Sequence, residues 1–162
     1  MSRLAHPGVR RVQAALAEKG SKAEVIELET TARSAQDAAD ALGVALGAIV
    51  KSLVFTIDGA PVLALVAGDR RCDVKALPGA FGVSGLVLRA DADRVRDVTG
   101  FVIGGVPPLG HLRSLPTAID DSLGRFEVVY AAAGHPYCVF PTTVLELSLL
   151  TGGAVVRGIS CA

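Results

Sequence analysis

Lys51 is the one charge in the run Ile49-Val50-Lys51-Ser52-Leu53-Val54-Phe55, where every neighbour except Ser52 is apolar. An ammonium in such a setting is costly unless something anionic pairs with it. Strand alternation puts Lys51, Leu53 and Phe55 on one face and Val50, Ser52 and Val54 on the other. One reading has Lys51 facing solvent. The other has it held ready for an anionic ligand, which the apolar company of Leu53 and Phe55 favours. The run by itself leaves both open.

A second candidate is the segment Gly104-Gly105-Val106-Pro107-Pro108-Leu109-Gly110. It can be neither helix nor central strand, because proline lacks the N–H that either ladder needs. Its glycines leave backbone groups free to approach an anion or a carbonyl oxygen, and an unblocked amide could serve as an oxyanion donor. A plain reverse turn remains the alternative. His6, His111 and His135 each stand alone, with His111 and His135 in glycine-flanked loops and so the better candidates. Asp120 and Asp121 close an expected strand, where an aspartate is usually a turn former.

The chain has no GxSxG elbow, P-loop, GxGxxG or HExxH, which disfavours hydrolysis by a nucleophilic triad. Cys72, Cys138 and Cys161 are odd in number and widely spaced, so they are expected as free thiols, with neither a disulfide framework nor a zinc site.

The elements that must hold these residues follow from periodicity and caps. Helical spacing of Val9, Val12, Ala15 and Leu16 predicts a helix over Pro7 to Lys19, stopped at Gly20. A short strand is expected at Val25 to Leu28. Ser34 then caps a small-faced helix that ends at Gly43. Ile49 to Ile57 and Pro61 to Ala67 read as an antiparallel hairpin turned at Asp58-Gly59. Asp73 caps a brief helix through Leu77, a strand spans Leu86 to Arg89, and Asp91 opens a helix closed by Gly100. Further strands are expected at Phe101 to Ile103, Ala118 to Asp120, Phe126 to Ala132, Tyr137 to Phe140 and Ala154 to Arg157, with a helix over Thr143 to Leu150. Together they predict a single α+β domain over residues 1–162, with a mixed, mostly antiparallel central sheet flanked by short helices.

With 51% hydrophobic and 20% charged residues, the chain has ample material for one core and little tendency to disorder. Sixteen basic residues balance sixteen acidic ones. That argues against coating a long duplex, so DNA is not an expected partner and any nucleic-acid contact should be local. With two Tyr, five Phe and no Trp, a broad stacking platform for single strands is also not expected. No apolar leader or membrane-length run is seen, which makes the cytoplasm the expected location and a membrane an unexpected partner.

Taken in order, Thr30-Thr31-Ala32, Ala38 to Gly43, Ile49 to Phe55, Ala67-Gly68-Asp69, Thr99 to Gly110 and Ile119-Asp120 resemble the YbaK family, stand-alone relatives of the prolyl-tRNA synthetase editing domain. The resemblance spans nearly the whole chain, and its K-[ST]-L-V-F strand paired with a G-x-x-x-P loop is specific. It implies hydrolysis of the ester joining a wrong amino acid to the 3′-terminal adenosine of a tRNA, without metal or organic cofactor. The expected partner is the acceptor end of a mischarged tRNA, with prolyl-tRNA synthetase as a second candidate. In the family the lysine matching Lys51 contacts the phosphate or ribose of that adenosine, and the glycine matching Gly104 holds the scissile region through its backbone. Attack on the ester is largely substrate-assisted there, so no enzyme nucleophile is required. Lys51 and Gly104 are thus the expected catalytic positions. Ser52, Gly105, Pro108, Gly110, Asp120, Ala132 and His135 are the expected substrate contacts.

The chain departs from the family pattern where many members carry Ser-Ala-Gly, because the matching stretch is Ala132-Ala133-Gly134-His135. The missing hydroxyl leaves open whether a cysteinyl ester or that of another small amino acid such as alanine is the substrate. It also leaves as alternatives a catalytically weak acceptor-end binding module associated with a synthetase, and a small phosphate or nucleotide binder.

Overall fold

The computed structural model describes residues 2–162. Local signals set most of its elements. In chain order these are α1 (Pro7–Glu18), β1 (Ile26–Glu27), α2 (Ala35–Leu42), β2 (Ile49–Ile57), β3 (Ala60–Ala67), β4 (Arg71–Cys72), α3 (Leu77–Ala80), β5 (Val87–Arg89), α4 (Ala92–Thr99), β6 (Thr117–Asp120), β7 (Val129–His135), β8 (Cys138–Thr142), α5 (Val144–Thr151), β9 (Ala154–Val156) and β10 (Ser160–Cys161). Ser34, Asp91 and Thr143 cap α2, α4 and α5 by accepting from the amide three residues on, and Gly43, Gly100 and Gly152 end the same helices in the left-handed conformation. Asp58 and Gly59 both take positive φ, which a two-residue hairpin turn between twisted strands requires.

The main sheet has the order β1-β8-β7-β2-β3-β6-β9, with β5 added beside β2. The pairs β1/β8, β8/β7, β2/β3 and β2/β5 are antiparallel, whereas β2/β7, β3/β6 and β6/β9 are parallel. This is the mixed, mostly antiparallel α+β arrangement expected. Both faces of the sheet are covered, which explains the unbroken apolar run of β3. Leu63, Leu65 and Ala67 pack on the face that carries Val9, Val12 and Leu16 of α1, Val95 and Val98 of α4 and Leu147 of α5. Val62, Ala64 and Val66 pack on the other with Leu77 and Ile159. Among the described residues, no helix is long and apolar enough to cross a membrane.

Two expectations fail. Phe101 to Ile103 is not a strand: Phe101 is buried, but Val102 and Ile103 are exposed in a turn that leads into the glycine loop. The strand expected at Phe126 begins only at Val129, because Asp121–Arg125 form a 3-10 helix capped by Asp120. The small β4/β10 pair, joining Arg71–Cys72 to Ser160–Cys161, had no local signal.

Candidate functional site

The side of β2 away from β3 is paired only at its ends. There β7 runs parallel to Ile49 and Val50, and β5 runs antiparallel to Phe55, Thr56 and Ile57. Between them, Lys51 to Val54 have no strand neighbour on that side. A cleft of about 360 Å³ opens at this gap, with Lys51, Ser52, Gly104, Ala132, Arg33 and Arg89 in its walls. No Asp or Glu contributes to its lining.

Lys51 is half-buried and shares its sheet face with Leu53 and Phe55, which pack into the second apolar cluster. Its ammonium donates to the backbone carbonyl of Arg70. Burial, with the Arg89 guanidinium nearby, holds its pKa below the ordinary lysine value, while the charges of Asp120 and Asp69 act in the opposite sense. A neutral carbonyl leaves that positive charge without a close counter-ion, so an anion entering the cleft would find it available.

Gly104 lies at the cleft with φ of +100°, a backbone state that a side chain would strain, and its open face is toward the aliphatic part of Arg33. The loop is tied down on both sides of it. The Gly105 C=O accepts from the Gly134 N–H at 3.0 Å, and a Cβ on Gly105 would sit 3.0 Å from the His135 nitrogen, so glycine is needed there for close approach to β7. Upstream, the Arg11 guanidinium of α1 donates to the Gly100 C=O at 3.0 Å and stacks on Phe101 with its carbon 4.1 Å from the ring centre. Downstream, His111 Nε2 bonds the Pro107 C=O at 2.7 Å, and burial lowers its pKa.

The other expected contacts divide. Ser52 and Ala132 line the cleft on adjacent strands. Pro108 and Gly110 instead border a separate hollow of about 250 Å³ beside the end of α1. Asp120 is fully buried, and its Oδ2 accepts from the Ala67 N–H at 3.1 Å and the Ser122 hydroxyl at 2.6 Å. Burial alone would raise its pKa, but these hydrogen bonds outweigh it and the carboxyl stays below its usual value. It joins β3 to β6, and its charge favours the protonated form of Lys51. His135, at the bulged end of β7, is not among the residues that line the cleft, and has its ring 4.8 Å from that of His6 and its Nδ1 accepting from the Tyr137 N–H at 3.1 Å.

Two cleft residues escape a reading of the sequence. Arg33 precedes α2 and Arg89 ends β5, and each looks like ordinary surface charge. Only the topology brings them to the mouth that Lys51 enters. The N-terminus of α2, with Ser34 and Ala35 in the lining, adds a partial positive end.

The family described as "Aminoacyl-tRNA editing domain" matches residues 29–149. The chain is 36% identical over 126 residues to the uncharacterised protein YwhH of Bacillus subtilis, covering 77% of this chain and 79% of that one. It is 30% identical over 102 residues to EbsC of Enterococcus faecalis, provisionally described as a Cys-tRNA(Pro)/Cys-tRNA(Cys) deacylase, covering 62% of each. It also matches proline–tRNA ligases, at 36% identity for that of Maridesulfovibrio salexigens, where it spans only 13% of the ligase. A solved structure of a proposed trans-editing enzyme for prolyl-tRNA synthetase superposes with a TM-score of 0.87 at 42% identity, covering 93% of this chain and 96% of that one. The match runs from before α2 to within α5 and so takes in every residue named in the cleft; the chain belongs to the aminoacyl-tRNA editing domain family.

Proposed function

We propose that this chain is a trans-editing deacylase that hydrolyses the ester of a mischarged small amino acid, alanyl- or cysteinyl-tRNA(Pro), at the tRNA 3′-terminal adenosine. The observation that carries the reading is the acid-free cleft, where Arg33, Lys51 and Arg89 meet beside the Gly104 backbone in a chain with no net charge. A polyanion is attracted to such a mouth while the remainder of the chain carries a small excess of acidic residues, so only the acceptor end is gripped.

In this reading Lys51 clamps a phosphate or ribose oxygen of the terminal adenosine. The Gly104 segment presents backbone to the ester, and water held near a ribose hydroxyl adds to the carbonyl carbon. The bond to the ribose oxygen then breaks and the proton passes to that oxygen, releasing free amino acid and intact tRNA. The ester is already activated, so positioning and charge stabilisation suffice without an enzyme nucleophile. Ala32, Val50, Val54 and Ala132 give the cleft apolar walls suited to a small side chain. The homology to proline–tRNA ligases supports tRNA(Pro) as the carrier and a prolyl-tRNA synthetase as an associated partner.

The test is incubation of the purified chain with alanyl-, cysteinyl-, seryl- and prolyl-tRNA(Pro). Hydrolysis of alanyl or cysteinyl ester with prolyl ester spared is expected. Tight tRNA binding with every ester intact would replace the enzyme reading with that of a binding module.

A further inference from the structure

Ser52 stands apart from the charged groups of the cleft. Its hydroxyl oxygen is buried and has no hydrogen-bond partner among the described residues. Its backbone is also unpaired on one side. The Ile49 C=O points to β3, where it accepts from Gly68, whereas the Val54 C=O points to the opposite side, where it accepts from Ala90. Backbone groups alternate sides along a strand, so the N–H and C=O of Ser52 point the same way as those of Val54, into the gap between β7 and β5. A central strand would be better served by valine at this position, since a polar group buried without a partner is unfavourable.

We infer that Ser52 is the cradle for the α-ammonium of the aminoacyl group, which donates to the Ser52 carbonyl and hydroxyl oxygens. The inference rests on the deacylase reading above and adds to it the group that recognises the amino acid as an amino acid. The charged side chains of the cleft are all cations, so an ammonium has no carboxylate to meet there. It is held by neutral oxygens or not at all, and Ser52 supplies two from one residue at the open edge. Placing the ammonium there while Lys51 holds the nucleotide side fixes the ester between them, next to Gly104.

The experiment compares single-turnover hydrolysis of alanyl- and cysteinyl-tRNA(Pro) with that of their α-hydroxy isosteres, lactyl- and mercaptolactyl-tRNA(Pro), each divided by its uncatalysed rate in buffer. The wild-type chain is expected to favour the amino esters by at least about tenfold after that correction, as a lost charge-assisted hydrogen bond implies. Ser52→Ala should shrink the preference severalfold by slowing the amino esters selectively, and Ser52→Thr, which keeps the hydroxyl, should restore it. An equal corrected rate for amino and hydroxy esters in the wild type overturns the cradle while leaving the deacylase reading intact. So does a Ser52→Ala variant that slows both ester types alike. If the wild type hydrolyses no ester, the deacylase reading fails and the cradle fails with it.

Discussion

The Lys51 ammonium donates to the backbone carbonyl of Arg70, nineteen positions along the chain, in the turn that follows β3. The Arg70 guanidinium in turn donates to the Ser160 hydroxyl at 2.7 Å and to the Ser160 C=O at 3.0 Å. Lys51 is therefore oriented by a neutral acceptor within a hydrogen-bonded chain, and its charge is left for a ligand. On this account Lys51→Ala lowers kcat/KM for the edited ester by about 10². Lys51→Arg, which keeps the charge but brings a planar fork into a site shaped for a compact ammonium, recovers only part of it.

Arg33 and Arg89 stand at the cleft mouth, exposed, and on the deacylase proposal they serve encounter and grip more than chemistry. Alanine at either position raises KM with kcat nearly unchanged. It also makes the slope of log kcat/KM against log salt shallower by about one for each phosphate that is no longer neutralised. Measuring kcat and KM between low and physiological salt separates this from a catalytic role, which would lower kcat instead.

The neighbouring glycines fail differently. Gly104→Ala puts a side chain on a residue with φ of +100° beside the ester, and costs about 10² to 10³ in rate if its backbone stabilises the developing oxyanion. Gly105→Ala drives a Cβ to 3.0 Å from the His135 nitrogen and costs about 1–3 kcal/mol of stability by prising the loop from β7. Urea unfolding and single-turnover rates on the same pair of variants check both outcomes.

His111 carries a pH signature. Burial depresses its folded pKa, so near the ordinary histidine pKa of about 6.5 the unfolded chain binds more protons than the folded one. Its contribution to stability is present above that value and is lost as pH falls through the folded pKa. The wild type should therefore lose more urea stability between pH 7.5 and 5.5 than His111→Gln, whose amide can still donate to the Pro107 C=O; these two pH values are about one unit either side of the histidine reference. His135, lowered chiefly by burial and by the charge of His6, adds to the slope in both proteins.

What the sequence makes legible is local. The caps at Ser34 and Asp91 and the Asp58-Gly59 turn each act within a few residues, and the structure places them as read, whereas the cap of α5 falls on Thr143 and not on the expected Thr142. Val102 and Ile103 mislead because an apolar pair in a loop has the same composition as a strand, and only the surroundings leave them exposed. The pairing of Cys72 with Ser160 joins residues far apart in sequence, which no window can see. The same holds at the site. Lys51 announces itself by breaking an apolar pattern, whereas Arg33 and Arg89 become part of the cleft only through the order β7-β2 with β5 beside it. The gap that exposes Ser52 is likewise a property of three strands at once, and its hydroxyl is unremarkable in sequence.

The most direct measurement is the single-turnover rate of alanyl- and cysteinyl-tRNA(Pro) hydrolysis by the wild-type chain and by Lys51→Ala, with folding of both checked by circular dichroism. The account predicts hydrolysis well above the buffer rate for at least one of the two esters, and its loss by about 10² in the folded variant. Hydrolysis undiminished in Lys51→Ala would contradict it, because the cleft would then work without the cation around which it is built.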